Sequence, residues 1–247
     1  MKKISVENLA AFQQDMEIHI EKTARAYGLL TKDIEPITDG VCDFTKYLAS
    51  EPSTTWVLKE PWDEIDPVTG TPAGGGYSIP NDCFPKGDTW KNPTYQPIIY
   101  ALYGFRNGLL FNEMDSISDD HTMAHELNSI AYINVSKMPA FTQSGPAQMR
   151  RNYQIWKDVL WSQIIGYASD IVVCCGTYKL LSKDADARGA ELLEQVVAND
   201  IKYLEVYRAG EQIFFSTLHP LARTKGFRRE HYVNTLISAL RKYGHTE

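Results

Sequence analysis

The chain has 247 residues, of which 43% are hydrophobic, 23% charged and 11% aromatic. These proportions are typical of a globular protein and exclude a disordered chain, a collagen-like fibre and a small disulfide-stabilised scaffold. The formal net charge of −6 argues weakly against nucleic-acid binding, yet residues 220–247 hold six basic and two acidic residues and so carry +4.

An amphipathic helix is predicted at the start of the chain, because residues 6–27 carry apolar side chains at helical spacing. Residues 31–53 are predicted to form a lead-in with one short helix over Phe44–Ala49. We expect a single domain, in which residues 1–50 form a helical N-terminal segment and residues 51–247 an α/β core.

Four short apolar runs follow, each bounded by polar residues, as is typical of strands covered on both faces. They are Thr55–Leu58, Ile130–Val135, Ile171–Cys175 and Ile213–Thr217. Helical patterns cover Gln96–Phe105, Ala147–Tyr167, Ala187–Val197 and Glu230–Lys242. The alternation predicts a three-layer α/β/α sandwich around a central, mostly parallel, four-stranded sheet.

Two loops interrupt this pattern. The segment Pro61–Pro97 is rich in Pro, Gly and Asp and contains the triplet Gly74–Gly76, and loops of this length are usually functional or partly disordered. The segment Leu218–Arg229 carries a cluster of cations: Arg223, Lys225, Arg228 and Arg229. This cluster favours a phosphate-binding face, although a solvated helix end explains the charges equally well.

Chemically distinct residues stand at the ends of the four predicted strands. Glu60 follows the first strand, Asn134 lies in the second, Gly176 follows the third and His219 follows the fourth. Ligands of open α/β sheets bind beyond the carboxyl ends of the strands. We therefore expect a carboxylate, an amide, a glycine and an imidazole to converge on one rim.

Five segments in this order carry a family resemblance. Leu58–Trp62 has the sequence LKEPW, Gly74–Ile79 has GGGYSI, Ala131–Asn134 has AYIN, Val172–Gly176 has VVCCG and the last begins as His219–Pro220. They resemble, across residues 54–223, the GQDPY, GLCFSV, LLLN, glycine-ended strand and HPSPLS segments of the uracil-DNA glycosylase superfamily. The resemblance implies that superfamily's fold.

The chain differs from the family's segments at several positions. Glu60 replaces the family's aspartate, which moves the carboxylate one methylene outward, and Lys59 and Trp62 replace a glutamine and a tyrosine. The serine and the second proline of the last loop are absent, because Leu221 and Ala222 follow Pro220. The chain therefore resembles a divergent member of the superfamily.

The resemblance implies roles for individual residues. Glu60 would stabilise the cationic sugar and orient the attacking water, and His219 would hydrogen-bond the departing base. Asn134 would read the pyrimidine edge and Tyr77 would stack on the base. The other implied pocket residues are Lys59, Pro61, Trp62 and Gly176, and the implied DNA contacts are Pro220, Arg223, Lys225 and Arg228. No cofactor or metal is implied.

Several of these assignments have structural alternatives. Glu60 could merely end a strand and pair with Lys59, and the water-activating acid could instead be Asp63 or Glu64. Tyr77 could be a core aromatic residue, Asn134 a turn residue and His219 part of an ordinary loop.

Other sequence features argue against a metal site. His121 and His125 stand four apart, but Thr122 occupies the position where HExxH requires a glutamate, so a solvated helix start is the better interpretation. The four cysteines have no CxxC spacing and are expected to be free thiols.

The sequence thus favours a hydrolase that excises uracil or a related base from uracil-containing or damaged DNA. The alternatives are a catalytically weak or inactive protein of the same fold that binds DNA or a pyrimidine, and a hydrolase of small nucleosides or glycosides. No apolar run reaches the roughly 20 residues of a transmembrane helix, and residues 1–22 lack the apolar stretch of a secretory signal. We expect a cytoplasmic monomer with no membrane partner.

Overall fold

Seven strands form one mixed sheet in the computed structural model, which describes residues 4–63, 74–140 and 144–244. The strands are β1 (Gly40–Val41), β2 (Thr54–Leu58), β3 (Ala131–Asn134), β4 (Ile171–Cys175), β5 (Glu191–Ala198), β6 (Ile201–Ala209) and β7 (Gln212–Thr217). Their spatial order is β1-β3-β2-β4-β7-β6-β5.

The four predicted strands form the parallel centre of this sheet. β2 pairs in parallel with β3 and β4, and β4 pairs in parallel with β7. All side chains of β2, β3 and β4 are buried, which explains their continuous apolar runs. The α/β class is confirmed, but four strands is too few, because antiparallel β1 borders β3, and β6 and β5 extend the sheet beyond β7.

Helices cover both faces of the sheet. They are α1 (Val6–Ala26), α2 (Phe44–Leu48), α3 (Tyr95–Asn107), α4 (Pro146–Tyr167), α5 (Tyr178–Asp186) and α6 (Arg229–Tyr243). Trp56 and Leu58 of β2 join the apolar core shared with α3 and α6, whereas Val57 joins the core shared with α1, α4 and α5. Within the described ranges, no helix is long and apolar enough to cross a membrane.

The helix predicted over Ala187–Val197 is wrong. Most of that segment is β5, which forms an antiparallel hairpin with β6, and the helix of this region is α5, which begins and ends earlier. Asn199 and Asp200 form the two-residue turn and both have positive φ, 51° and 61°, as a type I′ turn requires. Tertiary pairing therefore overrides the helix propensity of the Ala, Leu, Glu and Gln residues here.

All four cysteines are free thiols. Cys174 and Cys175 are buried on opposite faces of the sheet, and burial raises the pKa of the Cys175 thiol to about 12. Burial also raises the pKa of Cys174 far above its ordinary value. Both thiols are therefore protonated at neutral pH and act as small apolar core residues.

Candidate active site at the carboxyl edge of the parallel strands

The carboxyl ends of the parallel strands meet at one edge of the sheet, as predicted. Leu58 stands opposite Asn134 in the register of β2 and β3, and the Val135 amide donates to the Leu58 carbonyl at 2.9 Å. Cys175 stands opposite Thr217 in the register of β4 and β7. The residues that follow these positions therefore lie along this edge of the sheet, which we call the rim.

Glu60 is half-buried and held at this rim. Its Oε1 accepts a hydrogen bond from the Ser144 amide at 2.8 Å, and the backbone before it is fixed because the Ser136 amide donates to the Lys59 carbonyl at 2.9 Å. The Glu60 carboxylate is thus oriented by a backbone donor. A fixed carboxylate is what a water-orienting or cation-stabilising role needs.

Trp62 and Tyr77 form an aromatic part of the rim. Trp62 is 60% exposed, although its backbone is tied to Ala140, and its carbonyl accepts from the Tyr77 hydroxyl at 2.9 Å. Tyr77 is half-buried and packs against the core shared with α3 and α6. Pro61, which lies between Glu60 and Trp62 in the sequence, is buried.

Asp63, one of the alternative acids, has a local structural contact. It is 3% exposed, and its Oδ2 accepts from the Gly75 amide at 2.9 Å. Gly74–Gly76 all have positive φ and lie so close to Asp33 and Glu35 that side chains would collide with them. Asp63 therefore holds the glycine loop in place, and Glu64 lies outside the described residues.

Asn134 is fully buried, and neither Oδ1 nor Nδ2 of its side chain has a hydrogen-bond partner among the described residues. Strand alternation places this amide on the same face as Tyr132, the face of α3 and α6. A buried polar group left unsatisfied costs about 1–3 kcal/mol. An amide with a free donor and a free acceptor is therefore suited to a ligand that offers both.

His219 lies where β4 and β7 end. A Cβ placed on Gly176, whose φ is +70°, would lie 3.3 Å from the His219 backbone nitrogen, so the glycine lets the two segments approach closely. The Leu221 amide donates to His219 Nδ1 at 3.1 Å. In the neutral ring the proton is therefore on Nε2, which is a hydrogen-bond donor.

The charge state of His219 is set by its surroundings. Burial, and then the positive charge of Lys59, lower the pKa of His219 from 6.5 to about 4. The ring is therefore neutral at physiological pH.

This pKa leads to a testable pH dependence. Between about pH 4 and pH 6.5 the unfolded chain binds a proton at His219 and the folded chain does not, so this group makes the free energy of unfolding rise with pH in that window. We expect His219→Gln to reduce that rise in denaturant unfolding. In NMR titrations, Lys59→Met should raise the pKa of His219, whereas Lys22→Met, at an exposed position of α1, should leave it unchanged.

Substitution of Gly176 by alanine should affect both stability and the site. We expect a loss of about 1–2 kcal/mol, because a side chain is strained at this φ, together with displacement of His219. Gly108→Ala is the matched control, since Gly108 has φ +73° and no atom lies within 4 Å of the place a Cβ would take. We expect the two variants to lose similar unfolding free energy, and only Gly176→Ala to lose ligand binding or activity as well. Equal ligand binding and activity in both variants would contradict the positioning of His219 by Gly176.

The loop after β7 presents the predicted basic cluster. Arg223, Lys225 and Arg228 are exposed, and no carboxylate of the described residues forms an ion pair with them. Pro220 is buried inside a turn closed by the Ala222 amide and the His219 carbonyl at 2.8 Å. The three cations therefore remain available to an anionic partner.

The histidine pair is placed elsewhere. His121 stacks on Trp90 with 4.0 Å between ring centroids, at the start of a 3₁₀ helix over His121–Ser129, and His125 is exposed. Within the described parts of the chain, no three His, Cys, Asp or Glu side chains form a metal-binding group.

A cleft of about 300 Å³ lies away from the rim, between the β5–β6 hairpin and α6. Its polar lining includes Glu194, His231 and Lys242. Glu194 is bonded to Lys242 at 2.8 Å and to the Tyr243 hydroxyl at 2.7 Å. This cleft contains none of the residues predicted for the site.

One part of the rim was not predicted. Asp39, Lys137 and Gln163 form a buried polar network beside Asn134. The only sequence signal for this network was the position of Lys137, three residues beyond a buried strand. The partners of Lys137 are remote in sequence.

Comparison with protein-family models gives no match to this chain, and comparison with curated proteins gives none either.

Proposed function

We propose that this chain is a DNA glycosylase-like hydrolase that excises uracil or a related base from DNA by hydrolysing the N-glycosidic bond of a flipped nucleotide. The observation that carries this proposal is the fully buried Asn134 amide, whose donor and acceptor lack partners among the described residues. Uracil offers the complementary pair, an acceptor at O4 and a donor at N3–H. An amide can satisfy both at once from two separate atoms, whereas an ionised carboxylate has no donor and a hydroxyl offers only a single atom.

Glu60 is suited to the sugar side of the reaction. Cleavage of an N-glycosidic bond builds positive charge on the sugar, as in glycoside hydrolysis, where carboxylates face the cationic ring. The Ser144 amide fixes one oxygen of the Glu60 carboxylate. The carboxylate can then stabilise the cation and orient the water that attacks the anomeric carbon.

His219 is suited to the base side. Negative charge grows on the departing base, and a neutral imidazole with its proton on Nε2 can donate to the uracil O2. The nearby Lys59 adds a positive field that favours an anionic leaving group. The two sides of the breaking bond would thus receive opposite electrostatic support from one rim.

The remaining pocket residues supply shape. Tyr77 can stack on the base, a contact worth about 1–3 kcal/mol, because its ring is half-buried and its hydroxyl is fixed by the Trp62 carbonyl. The exposed Trp62 ring can contact a neighbouring nucleotide. We further propose that the enzyme is a cytoplasmic monomer that acts on uracil-containing or damaged DNA without a cofactor.

Arg223 is proposed to bind DNA phosphate. We expect Arg223→Ala to weaken DNA binding and to reduce the slope of log affinity against log salt concentration by about one, because one phosphate contact and its released counterion are lost. Lys22→Ala, at an exposed position of α1, should change neither quantity. Affinity measured at several salt concentrations tests this; an unchanged slope for Arg223→Ala would exclude the phosphate contact.

A second candidate function is pyrimidine or DNA binding without efficient catalysis. The Glu60–Ser144 hydrogen bond favours it, because the contact occupies one oxygen of the carboxylate proposed to act on water. Recognition through Asn134 would be the same in both cases.

The experiment that separates these functions is incubation with uracil-containing single- and double-stranded oligonucleotides, followed by alkali and gel electrophoresis. Strand breaks at uracil, and none at thymine in the matched strand, are expected for the glycosylase. Binding of free uracil without strand breaks would favour the second candidate. Neither binding nor breaks would contradict both.

A further inference from the structure

A closed network of buried polar side chains lies behind Asn134. Lys137 Nζ donates to both oxygens of Asp39 at 2.8 Å and to Gln163 Oε1 at 2.7 Å. Gln163 Nε2 donates to Asp39 Oδ1 at 2.9 Å. All three side chains are at most 1% exposed, and their polar atoms are hydrogen-bonded to one another, in contrast to the unpartnered side-chain amide of Asn134.

This network is joined to Asn134 through the backbone. Asp39 Oδ2 accepts a hydrogen bond from the backbone nitrogen of Asn134 at 2.7 Å. Just beyond it, the Ile37 amide donates to the Lys137 carbonyl at 2.7 Å. The end of β3 is thereby clamped on both sides of the residue whose side-chain amide is unpartnered.

The network also spans three separate parts of the chain. Asp39 precedes β1, Lys137 follows β3, and Gln163 lies on α4, which covers the opposite face of the sheet from α3 and α6. A buried ion pair is weak evidence for stability, because apolar replacements of similar volume are often as stable or more so. Its better-attested use is to fix one arrangement of the groups around it.

We infer that Asp39, Lys137 and Gln163 are positioning residues that set the angle and depth of the Asn134 amide for a pyrimidine edge. The inference rests on the proposed function and assigns the network to its base-recognition step. Two hydrogen bonds to a planar base require a fixed amide, and a displacement of about 1 Å in such groups is enough for large losses of rate.

The test is a double-mutant cycle between the network and Asn134. Lys137→Met together with Asp39→Asn removes both buried charges. It keeps a side-chain oxygen at position 39 that can accept the hydrogen bond from the backbone N–H of Asn134. We expect this pair to lower kcat for uracil release at least about tenfold while affinity for DNA that carries an abasic site stays within about twofold. In an Asn134→Ala background the same pair should cause no further loss of kcat.

Tyr47→Phe is the control for a general loss of stability. It removes a buried hydrogen bond from the Tyr47 hydroxyl to the Tyr167 carbonyl, 3.1 Å, near Ser53 and Asp170 at the amino ends of β2 and β4. Folding of every variant is checked by thermal unfolding, and all rates are measured well below the lowest transition. We expect Tyr47→Phe to keep the kcat of the wild-type protein.

Unchanged kcat in the Lys137→Met, Asp39→Asn protein, or an equal fold-loss with and without Asn134, would overturn the positioning role and leave the glycosylase proposal standing. A wild-type protein that neither releases nor binds uracil would overturn both. If the wild-type protein binds uracil without releasing it, the same double-mutant cycle tests the positioning role with uracil affinity measured in place of kcat.

Discussion

Glu60→Gln and His219→Ala should each slow single-turnover release of uracil by at least about tenfold, equivalent to about 1.4 kcal/mol in the barrier. In the proposed mechanism the two residues act on opposite partners of one breaking bond, and both contributions would be largest in the transition state. Loss of the His219 donor is expected to have the greater effect, since removal of one such donor typically costs about 3–4 kcal/mol. Affinity for the uncleaved strand should change much less.

The measurement is single-turnover cleavage of a uracil oligonucleotide, with affinity determined separately. His125→Ala is the matched control, because His125 is an exposed histidine outside the rim and its loss should leave the rate unchanged. A wild-type protein that cleaves, with both rim variants cleaving equally fast, would show that this pair does not carry the chemistry.

Asn134→Asp should change which base is released. The substitution removes the NH₂ donor and leaves a group that, when ionised, only accepts hydrogen bonds, so uracil O4 loses its partner and the N4 amino group of cytosine gains one. We expect kcat/KM for uracil to fall at least about tenfold, in line with about 1–3 kcal/mol for a buried group left unpaired. The ratio of cytosine to uracil release should rise.

Competing single-stranded oligonucleotides that carry uracil or cytosine measure this ratio. Asn107→Asp, at the exposed C-terminal end of α3, is the control and should leave the ratio unchanged. An active protein whose rate and preference survive Asn134→Asp would show that the buried amide is structural.

The centre of the sheet could be predicted because its signal is local. β2, β3, β4 and β7 are apolar runs that must be covered on both faces wherever they pair, and the bounds of β4 agree with the prediction. The rule that ligands meet the carboxyl ends of parallel strands then brings Lys59, Asn134, Gly176 and His219 to one edge. That rule needs the order of residues along the chain but no knowledge of their distant partners.

The hairpin of β5 and β6 could not be predicted from the same signal. β5 lies at the exposed edge of the sheet, so its side chains are a mixture of helix-forming and apolar residues with no buried run. The useful signal was the pair Asn199–Asp200 between Val196–Val197 and Ile201, since Asn and Asp tolerate the positive φ of a type I′ turn.

The network behind Asn134 was beyond local inference. Asp39 is 98 positions from Lys137 and 124 positions from Gln163, and in the sequence Asp39–Gly40 resembles an ordinary turn. Only the fold shows that this carboxylate neutralises a buried ammonium group. The same holds for Asp63, whose contact with Gly75 depends on how the glycine loop folds back.

The most direct measurement is of the Asn134 side chain itself. The ¹⁵N–¹H signals of its NH₂ group, assigned by their loss in Asn134→Ala, can be followed as free uracil is added to the wild-type protein. We expect these signals to shift in a saturable way and to exchange more slowly with water, because the amide gains its acceptor at uracil O4. Signals that stay unmoved while uracil binds elsewhere, or while uracil strands are cleaved, would contradict the assignment of Asn134 as the base-reading residue.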